Sequence, residues 1–170
     1  RLTVDNSGSE WPLDKKFGAD PETAIQLFRH GTELGLRPEG ITFHVGSQCT
    51  ETNSWSAALS DVRDLWDSLG NLDMHLGTLN LGGGFPIKYT EDVPSVSEIM
   101  DAILAQTRAL FPDDVAIQVE PGRALVGGAG TLVSQVIGKA QRGDQNWLYL
   151  DVGVFNGLME SLGGIRYEFH

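Results

Sequence analysis

Residues 79–86 read Leu-Asn-Leu-Gly-Gly-Gly-Phe-Pro, an apolar run that ends in three consecutive glycines. A glycine triplet weakens packing and increases the freedom of the unfolded chain, so it needs a compensating use. One such use is a nest of backbone N–H groups around a phosphate; the alternative is a flexible turn. The triplet lacks the spacing of a dinucleotide-binding fingerprint, and no Lys-Ser/Thr pair follows it as in a P-loop. By itself the segment leaves both alternatives open.

Apolar runs alternate with helical segments on both sides of this triplet. The β-rich runs cover residues 41–45, 76–81, 115–119 and 147–152. Helical periodicity predicts one helix from Asp20 to about Gly35, a second from near Ser54 and a third after a capping box at Ser95 and Glu98. The second helix is predicted to carry its apolar residues on one stripe: Trp55, Ala58, Leu59, Val62, Leu65, Trp66 and Leu69. This order predicts an α/β fold with parallel strands, either a doubly wound sheet or a TIM-type (β/α) barrel. In both architectures, ligands bind at the carboxyl ends of the strands.

Two further strand ends carry chemically useful side chains. Residues 43–48, Phe-His-Val-Gly-Ser-Gln, place His44 and Ser47 just after an apolar run. A structural histidine and a turn serine would be equally consistent with that pattern.

The third strand end, residues 119–123, reads Val-Glu-Pro-Gly-Arg. A carboxylate at the end of a buried strand must be paired, so Arg123 could simply be the salt-bridge partner of Glu120. The functional alternative separates them: Glu120 faces a cationic ring nitrogen, while Gly122 and Arg123 hold a phosphate.

Composition excludes several classes of partner. The formal net charge is -11, from 23 acidic and 12 basic residues, which predicts no binding to nucleic acid or to an anionic membrane. No apolar stretch is long enough to cross a bilayer. Cys49 is the single cysteine, which suits a cytoplasmic protein without an intramolecular disulfide. His30, His44, His75 and His170 have no ligand-like spacing, so no metal site is predicted.

Taken in order, the three strand ends resemble the alanine-racemase-like fold (fold type III) of the pyridoxal-phosphate-dependent decarboxylases. Residues 16–18, Lys-Phe-Gly, and the Gly-Gly-Gly-Phe-Pro segment are similar to the ornithine/lysine group more than to the diaminopimelate group. The similarity covers essentially the whole chain, including residues 5–13 and 151–158.

The resemblance implies pyridoxal phosphate as the cofactor and a role for each matched residue. His44 would stack on the pyridine ring, and Glu120 would keep the ring nitrogen protonated, so both would be catalytic residues. The phosphate would be bound by Ser47, Gly82, Gly83, Gly84, Gly122 and Arg123. Residues 1–123 would form part of the TIM-type barrel, and residues 124–170 would lead through the last barrel elements into a C-terminal β domain.

The activity implied by the resemblance is decarboxylation of ornithine or lysine to the diamine, in polyamine biosynthesis. The enzyme would be a homodimer with active sites at the interface, and Lys16 would lie in its dimer-contact element. The family's cofactor-attaching lysine segment and its C-terminal Gly-Pro-Thr-Cys-Asp-like segment have no counterpart here. Both ends of the chain look cut, so we expect a fragment of a longer two-domain enzyme that is inactive alone.

Three alternatives remain open at this point. The parent enzyme could act on diaminopimelate or carboxynorspermidine, because relatives often carry acidic residues for the distal amine where residues 161–165 read Ser-Leu-Gly-Gly-Ile. Glu160 lies nearby, but the sequence assigns it no role. The chain could also be a non-catalytic regulatory homologue like the antizyme inhibitors, or a stand-alone cofactor carrier. The intact cofactor motifs favour the enzyme.

Overall fold

The computed structural model describes residues 1–169, which form alternating strands and helices with a hairpin near the carboxyl end. In chain order the elements are β1 (Ser9–Trp11), α1 (Pro21–Glu33), β2 (Gly40–Thr42), β3 (Ser47–Cys49), α2 (Asn53–Gly70), β4 (Thr78–Asn80), α3 (Val96–Leu110), β5 (Ala116–Gln118), α4 (Arg123–Val126), β6 (Val136–Arg142) and β7 (Gln145–Leu150). Two 3-10 helices follow, at Val154–Asn156 and Met159–Gly163.

A parallel three-stranded sheet lies at the centre of the structure. Its order is β2-β4-β5, and Ile41, Leu79 and Ile117 align across it. Helices α2 and α3 connect these strands, so the predicted alternation is confirmed here. Because β4 is the central strand, the glycine triplet that follows it lies between the ends of its two neighbours.

The core packs against α2, whose apolar face is the predicted one. Six of the seven predicted side chains are buried: Trp55, Ala58, Leu59, Val62, Leu65 and Leu69. The Trp55 ring stacks on Phe85, with 5.2 Å between ring centroids. Trp66, the seventh, packs edge-on against Phe111 at the margin of the core.

The capping box that begins α3 is confirmed. The Ser95 hydroxyl accepts a hydrogen bond from the Glu98 backbone N–H at 3.2 Å. The Glu98 carboxylate accepts one from the Ser95 backbone N–H at 2.8 Å. Two N–H groups that a helix start leaves unpaired are thereby satisfied.

A short antiparallel ribbon of β1 and β3 was not predicted. It pairs Ser9 with Cys49 and Trp11 with Ser47. The segment that leaves β2 therefore turns at once into a second strand, and this pairing fixes the position of Ser47.

The β-rich run near the carboxyl end belongs to an antiparallel hairpin. The run at 147–152 corresponds to β7, which pairs antiparallel with β6. Only Gly143, at φ +59°, and Asp144 separate the two strands. Two residues suffice for a hairpin, whereas a parallel connection requires a long crossover.

Strand β5 also departs from expectation. It lies at the edge of the sheet, and Ala116, Gln118 and Glu120 are all exposed. The premise that Glu120 ends a buried strand is therefore wrong.

None of the described helices is long and apolar enough to span a membrane. The division between residues 123 and 124 stays a prediction.

Candidate functional site

The ends of the three parallel strands meet at Gly83. A Cβ atom placed on this residue would lie 2.5 Å from the Glu120 carbonyl oxygen and 3.0 Å from Nε2 of His44. Gly83 is thus in close contact with the residues that follow both neighbouring strands. The predicted convergence of His44, the glycines and Glu120 is what the structure shows, and only glycine fits at its centre.

The other two glycines of the triplet hold the backbone against residues 43–46. Gly82 has φ +65° and Gly84 has φ +105°, both in the region that favours glycine. A Cβ would lie 1.9 Å from the Phe43 carbonyl oxygen at Gly82, and 2.4 Å from the Gly46 carbonyl oxygen at Gly84. The close approach of the two segments therefore requires glycine at both positions.

Two N–H groups of the triplet have no acceptor among the described residues. They belong to Gly83, which is buried, and Gly84, which is half-buried. A buried N–H group without an acceptor is costly, so such groups normally meet a ligand or water. Adjacent free amides in a turn of this kind suit an anion such as phosphate.

His44 is held by one hydrogen bond to its ring and one to its backbone. Its Nδ1 accepts a hydrogen bond from the Gly46 N–H at 3.0 Å, and its carbonyl oxygen accepts one from Asn6 Nδ2 at 2.9 Å. Burial lowers the pKa of the imidazole, and Arg1 lowers it further, while Glu120 opposes both effects. The neutral ring therefore carries its proton on Nε2, the nitrogen that faces Gly83.

Asn6 is a buried anchor that the sequence did not identify. Its Nδ2 donates to the carbonyl oxygens of Val4 (3.1 Å) and His44 (2.9 Å), and its Oδ1 accepts from the Leu13 N–H at 2.9 Å. The residue is only 1% exposed. Asn6 lies within residues 5–13, which the sequence marked only as part of the general similarity.

Glu120 is exposed but oriented towards the glycine triplet. Its Oε1 accepts a hydrogen bond from Asn80 Nδ2 at 3.1 Å. The same Asn80 side chain accepts the Gly82 N–H at 2.8 Å. Asn80, also unpredicted, therefore links the glycine turn to the carboxylate.

Arg123 does not pair with Glu120; its partners are Ser47, Tyr89 and Glu160. Its two terminal nitrogens donate to Glu160 Oε2 and Oε1, at 2.6 and 2.7 Å, to the Tyr89 hydroxyl at 2.5 Å and to Ser47 Oγ at 2.8 Å. The hydrogen bond to Glu160 is the main reason that the pKa of Arg123 is raised. We call these four residues the arginine cluster.

Two members of the arginine cluster were missed from the sequence. Glu160 was noted without a role, and Tyr89 lies in a segment with no recognisable motif. Both reach Arg123 only through the fold, from 34 and 37 positions away in the chain. Ser47 and Arg123, in contrast, were predicted to share a ligand and do lie side by side.

Gly122 shapes the turn that directs Arg123 towards the cluster. It has φ +44° and immediately precedes the short helix α4. The N–H groups of Gly122 and Arg123 have no acceptor in the described part of the chain. They extend the set of free donors beyond the glycine triplet.

The four lysines lie in unrelated surroundings. Lys88 pairs with Asp92 at 2.7 Å, and Lys16 lies over the Phe17 ring. Lys15 and Lys139 are exposed.

Residues 1–169 contain no cluster of three or more potential metal ligands. His30 and His75 are exposed, and His170 lies outside the described residues.

A cleft of about 320 Å³ adjoins the arginine cluster without containing the predicted site residues. It is lined in part by Gln48, Tyr89, Glu91 and Arg166. Gln48 is buried, and its amide exchanges two hydrogen bonds with the Ile87 backbone, at 2.6 and 3.1 Å. These bonds hold the segment after the glycine triplet against β3.

The chemistry of the assembled donors fits pyridoxal phosphate. Free backbone amides, the Ser47 hydroxyl and the Arg123 guanidinium all donate hydrogen bonds, which a phosphate accepts. A neutral imidazole and a carboxylate lie next to these donors, where an aromatic ring and its basic nitrogen could be held.

Comparisons with known proteins agree with this arrangement. Residues 1–127 match the family model of the pyridoxal-dependent decarboxylase, pyridoxal binding domain. A lysine/ornithine decarboxylase of Selenomonas ruminantium is 40% identical over 169 residues, which cover 99% of this chain and 42% of that protein. The chain therefore spans well under half the length of this curated relative.

Solved structures give the same result. The lysine/ornithine decarboxylase of Vibrio vulnificus, complexed with cadaverine, has a TM-score of 0.81 at 35% identity, covering 91% of this chain and 42% of that chain. SrLDC in complex with PLP and cadaverine has a TM-score of 0.79 at 39% identity, covering 95% and 41%.

The fold and the strand-end site define a pyridoxal-binding α/β domain, part of a TIM-type barrel, as predicted. The chain belongs to the pyridoxal-dependent decarboxylases, and residues 1–127 are the pyridoxal binding domain of that family. The predicted family, fold class and cofactor are thus confirmed. The roles of individual site residues stay predictions.

Proposed function

We propose that this chain provides the pyridoxal-phosphate site of a decarboxylase that acts on lysine or ornithine. The observation that carries the proposal is the meeting of three strand ends at Gly83, with His44 on one side and Glu120 on the other. Relatives of this chain include lysine/ornithine decarboxylases, one of them solved with cadaverine. The diamine product of that reaction suits a role in polyamine biosynthesis.

The phosphate end of the cofactor would be anchored by donors on three strand ends. Ser47 and Arg123 provide side-chain donors, and Gly83, Gly84 and Gly122 provide free N–H groups. Gly82 contributes by its backbone conformation, because its own N–H is already bonded to Asn80. Charge-assisted bonds of this kind fix position as well as supplying affinity.

The ring end would be oriented by His44 and Glu120. When bound, pyridoxal phosphate supplies an electron sink for the charge that loss of CO₂ leaves on the substrate Cα. Glu120 would hold a proton on the ring nitrogen, since an adjacent carboxylate favours the charged form of a base. His44, neutral because burial lowers its pKa, offers a flat ring without a competing positive charge.

The assembly and location of the whole protein are also part of the proposal. A homodimer is suggested by the Lys-Phe-Gly segment at residues 16–18, where Phe17 is 41% exposed beneath the Lys16 and Arg1 side chains. A cytoplasmic location is suggested by the single cysteine, a buried free thiol. The substrate is a small amino acid, and the negative net charge argues against nucleic acid or membrane partners.

The test uses the full-length protein and its Glu120→Gln variant. Glutamine keeps the shape and the acceptor for Asn80 but removes the charge at the ring nitrogen. We expect CO₂ release from lysine or ornithine to fall by roughly 100-fold or more while the cofactor remains bound. The exposed Glu22→Gln variant is the control with the same loss of charge and should keep full activity.

The outcome also distinguishes the alternative functions. A wild-type protein with cofactor absorbance but no CO₂ release from either amino acid would contradict the proposed substrates. Activity on diaminopimelate or carboxynorspermidine would replace them. A protein with neither absorbance nor activity, bound to a regulatory partner, would instead be a homologue of the antizyme-inhibitor kind.

A further inference from the structure

The Arg123 guanidinium has no free hydrogen on its terminal nitrogens. Those two nitrogens carry four hydrogens, and four hydrogen bonds leave them: two to Glu160, one to Tyr89 and one to Ser47. Only the Nε–H lacks an acceptor among the described residues. A phosphate can therefore bond to the terminal nitrogens only by displacing one of these partners.

The partners differ in whether they can coexist with a phosphate. Ser47 and Tyr89 are hydroxyls, which can accept from Arg123 and still donate their own hydrogen to a phosphate oxygen. The ionised carboxylate of Glu160 only accepts hydrogen bonds, and its charge has the same sign as the phosphate. Glu160 is thus the partner that conflicts with an anionic ligand.

The position of Glu160 allows it to leave. It lies on the 3-10 helix Met159–Gly163, and its side chain is 36% exposed, against 14% for Arg123. Gly164, at φ +95°, follows the last residue of this helix, and Ser161 and Leu162 beside Glu160 are exposed. A side-chain rotation would carry the carboxylate into solvent without opening the core, while Arg123 stays in place.

We propose that Glu160 sets the affinity for the cofactor by occupying the Arg123 guanidinium as an internal substitute for the phosphate. The cofactor phosphate then exchanges with the Glu160 carboxylate instead of entering a vacant site. When no phosphate is bound, the ion pair with Glu160 keeps the Arg123 guanidinium oriented and balances its positive charge. This inference rests on the proposed function, because it concerns the phosphate end of the same cofactor site.

The test compares the affinities of two ligands for cofactor-free full-length protein. Pyridoxal phosphate carries the phosphate and pyridoxal lacks it, so their ratio isolates the phosphate site. In the Glu160→Gln variant we expect pyridoxal phosphate to bind roughly tenfold more tightly, since a neutral amide competes less well for a guanidinium. The affinity for pyridoxal should not change, and inorganic phosphate should compete more strongly than in the wild type.

Two further variants make the test specific. Glu91→Gln removes the same charge two positions after Tyr89, on an exposed side chain beside the same cleft, and should change neither affinity. Glu160→Ala removes the carboxylate entirely and should also bind the cofactor more tightly, which guards against a local effect of glutamine. Melting curves of each variant confirm that it is folded.

A result that contradicts only this inference can be distinguished from one that also contradicts the proposed function. Equal or weaker binding of pyridoxal phosphate by both Glu160 variants, with a wild type that binds it, would overturn this inference alone and make Glu160 a residue that orients Arg123. A wild type that binds no pyridoxal phosphate would overturn the proposed function and this inference with it.

Discussion

The Asn80 side-chain amide lies 3.1 Å from the Glu120 carboxylate, and this bond joins the end of the central strand to the end of the edge strand. The other atom of the same amide accepts the Gly82 N–H. One neutral side chain therefore orients both the carboxylate and the first turn of the glycine triplet. The asparagine amide can fill both roles because its nitrogen donates and its oxygen accepts.

The Asn80→Asp variant separates these two functions. Aspartate can still accept the Gly82 N–H, but it places a negative charge against Glu120 where a donor is needed. We expect the affinity for pyridoxal phosphate to fall by roughly tenfold, which corresponds to about 1.4 kcal/mol. Absorbance titration of the cofactor measures it. Unchanged affinity would show that Glu120 needs no support from Asn80.

The Gly83→Ala variant tests the meeting point of the strand ends. Its new methyl group would press against the Glu120 carbonyl oxygen, which is backbone and cannot move aside cheaply. We expect a loss of cofactor binding and a decrease of about 1–3 kcal/mol in the free energy of unfolding, measured by urea denaturation. Gly128→Ala is the matched control, because nothing lies within 4 Å of its Cβ position. Similar behaviour of both variants would place the strand ends further apart.

His44 should make stability depend on pH in the acidic range. Burial lowers its pKa in the folded protein below the ordinary value of 6.5. The unfolded chain then binds more protons between the two pKa values, so stability falls as the pH decreases through 6.5 and towards the folded pKa. Urea midpoints should fall over this range in the wild type and change less in His44→Gln. The exposed His75→Gln variant should follow the wild type; identical pH profiles for all three proteins would contradict the prediction.

Cys49 should be inert in the folded protein. It is fully buried, and burial raises the pKa of its thiol, so both access and the reactive thiolate are suppressed. We expect almost no labelling of the Cys49 peptide by an alkylating reagent under native conditions and complete labelling in denaturant. Peptide mass spectrometry gives the result directly. Rapid native labelling would mean that β3 opens readily.

Local features of the fold could be predicted because their causes lie within one turn or one helix. The capping box depends on Ser95 and Glu98, three positions apart, and the α2 stripe depends on a single periodicity. The strand ends could be predicted because parallel strands bring their carboxyl ends to one edge. That reasoning placed His44, Ser47, the glycine triplet and Arg123 together.

Features that arise from long-range contacts could not be predicted in the same way. Asn80 and Glu120 are 40 positions apart, and no local pattern marks an asparagine as a partner of that carboxylate. Tyr89 and Glu160 both accept hydrogen bonds from Arg123, although they lie 34 and 37 positions from it in the chain. The antiparallel pairing of β6 with β7 could not be predicted either, because an apolar run indicates a strand but not the direction of its partner.

The β6–β7 hairpin should open locally more easily than the parallel sheet. Its backbone hydrogen bonds run between the two strands themselves, and Ile137, Trp147 and Leu148 are largely exposed. Such a ribbon gains little from burial and can separate without disturbing the parallel sheet. Its amide hydrogens should therefore exchange with deuterium through frequent local separation of the two strands. Those of Ile41 and Leu79 should exchange only when the whole domain unfolds.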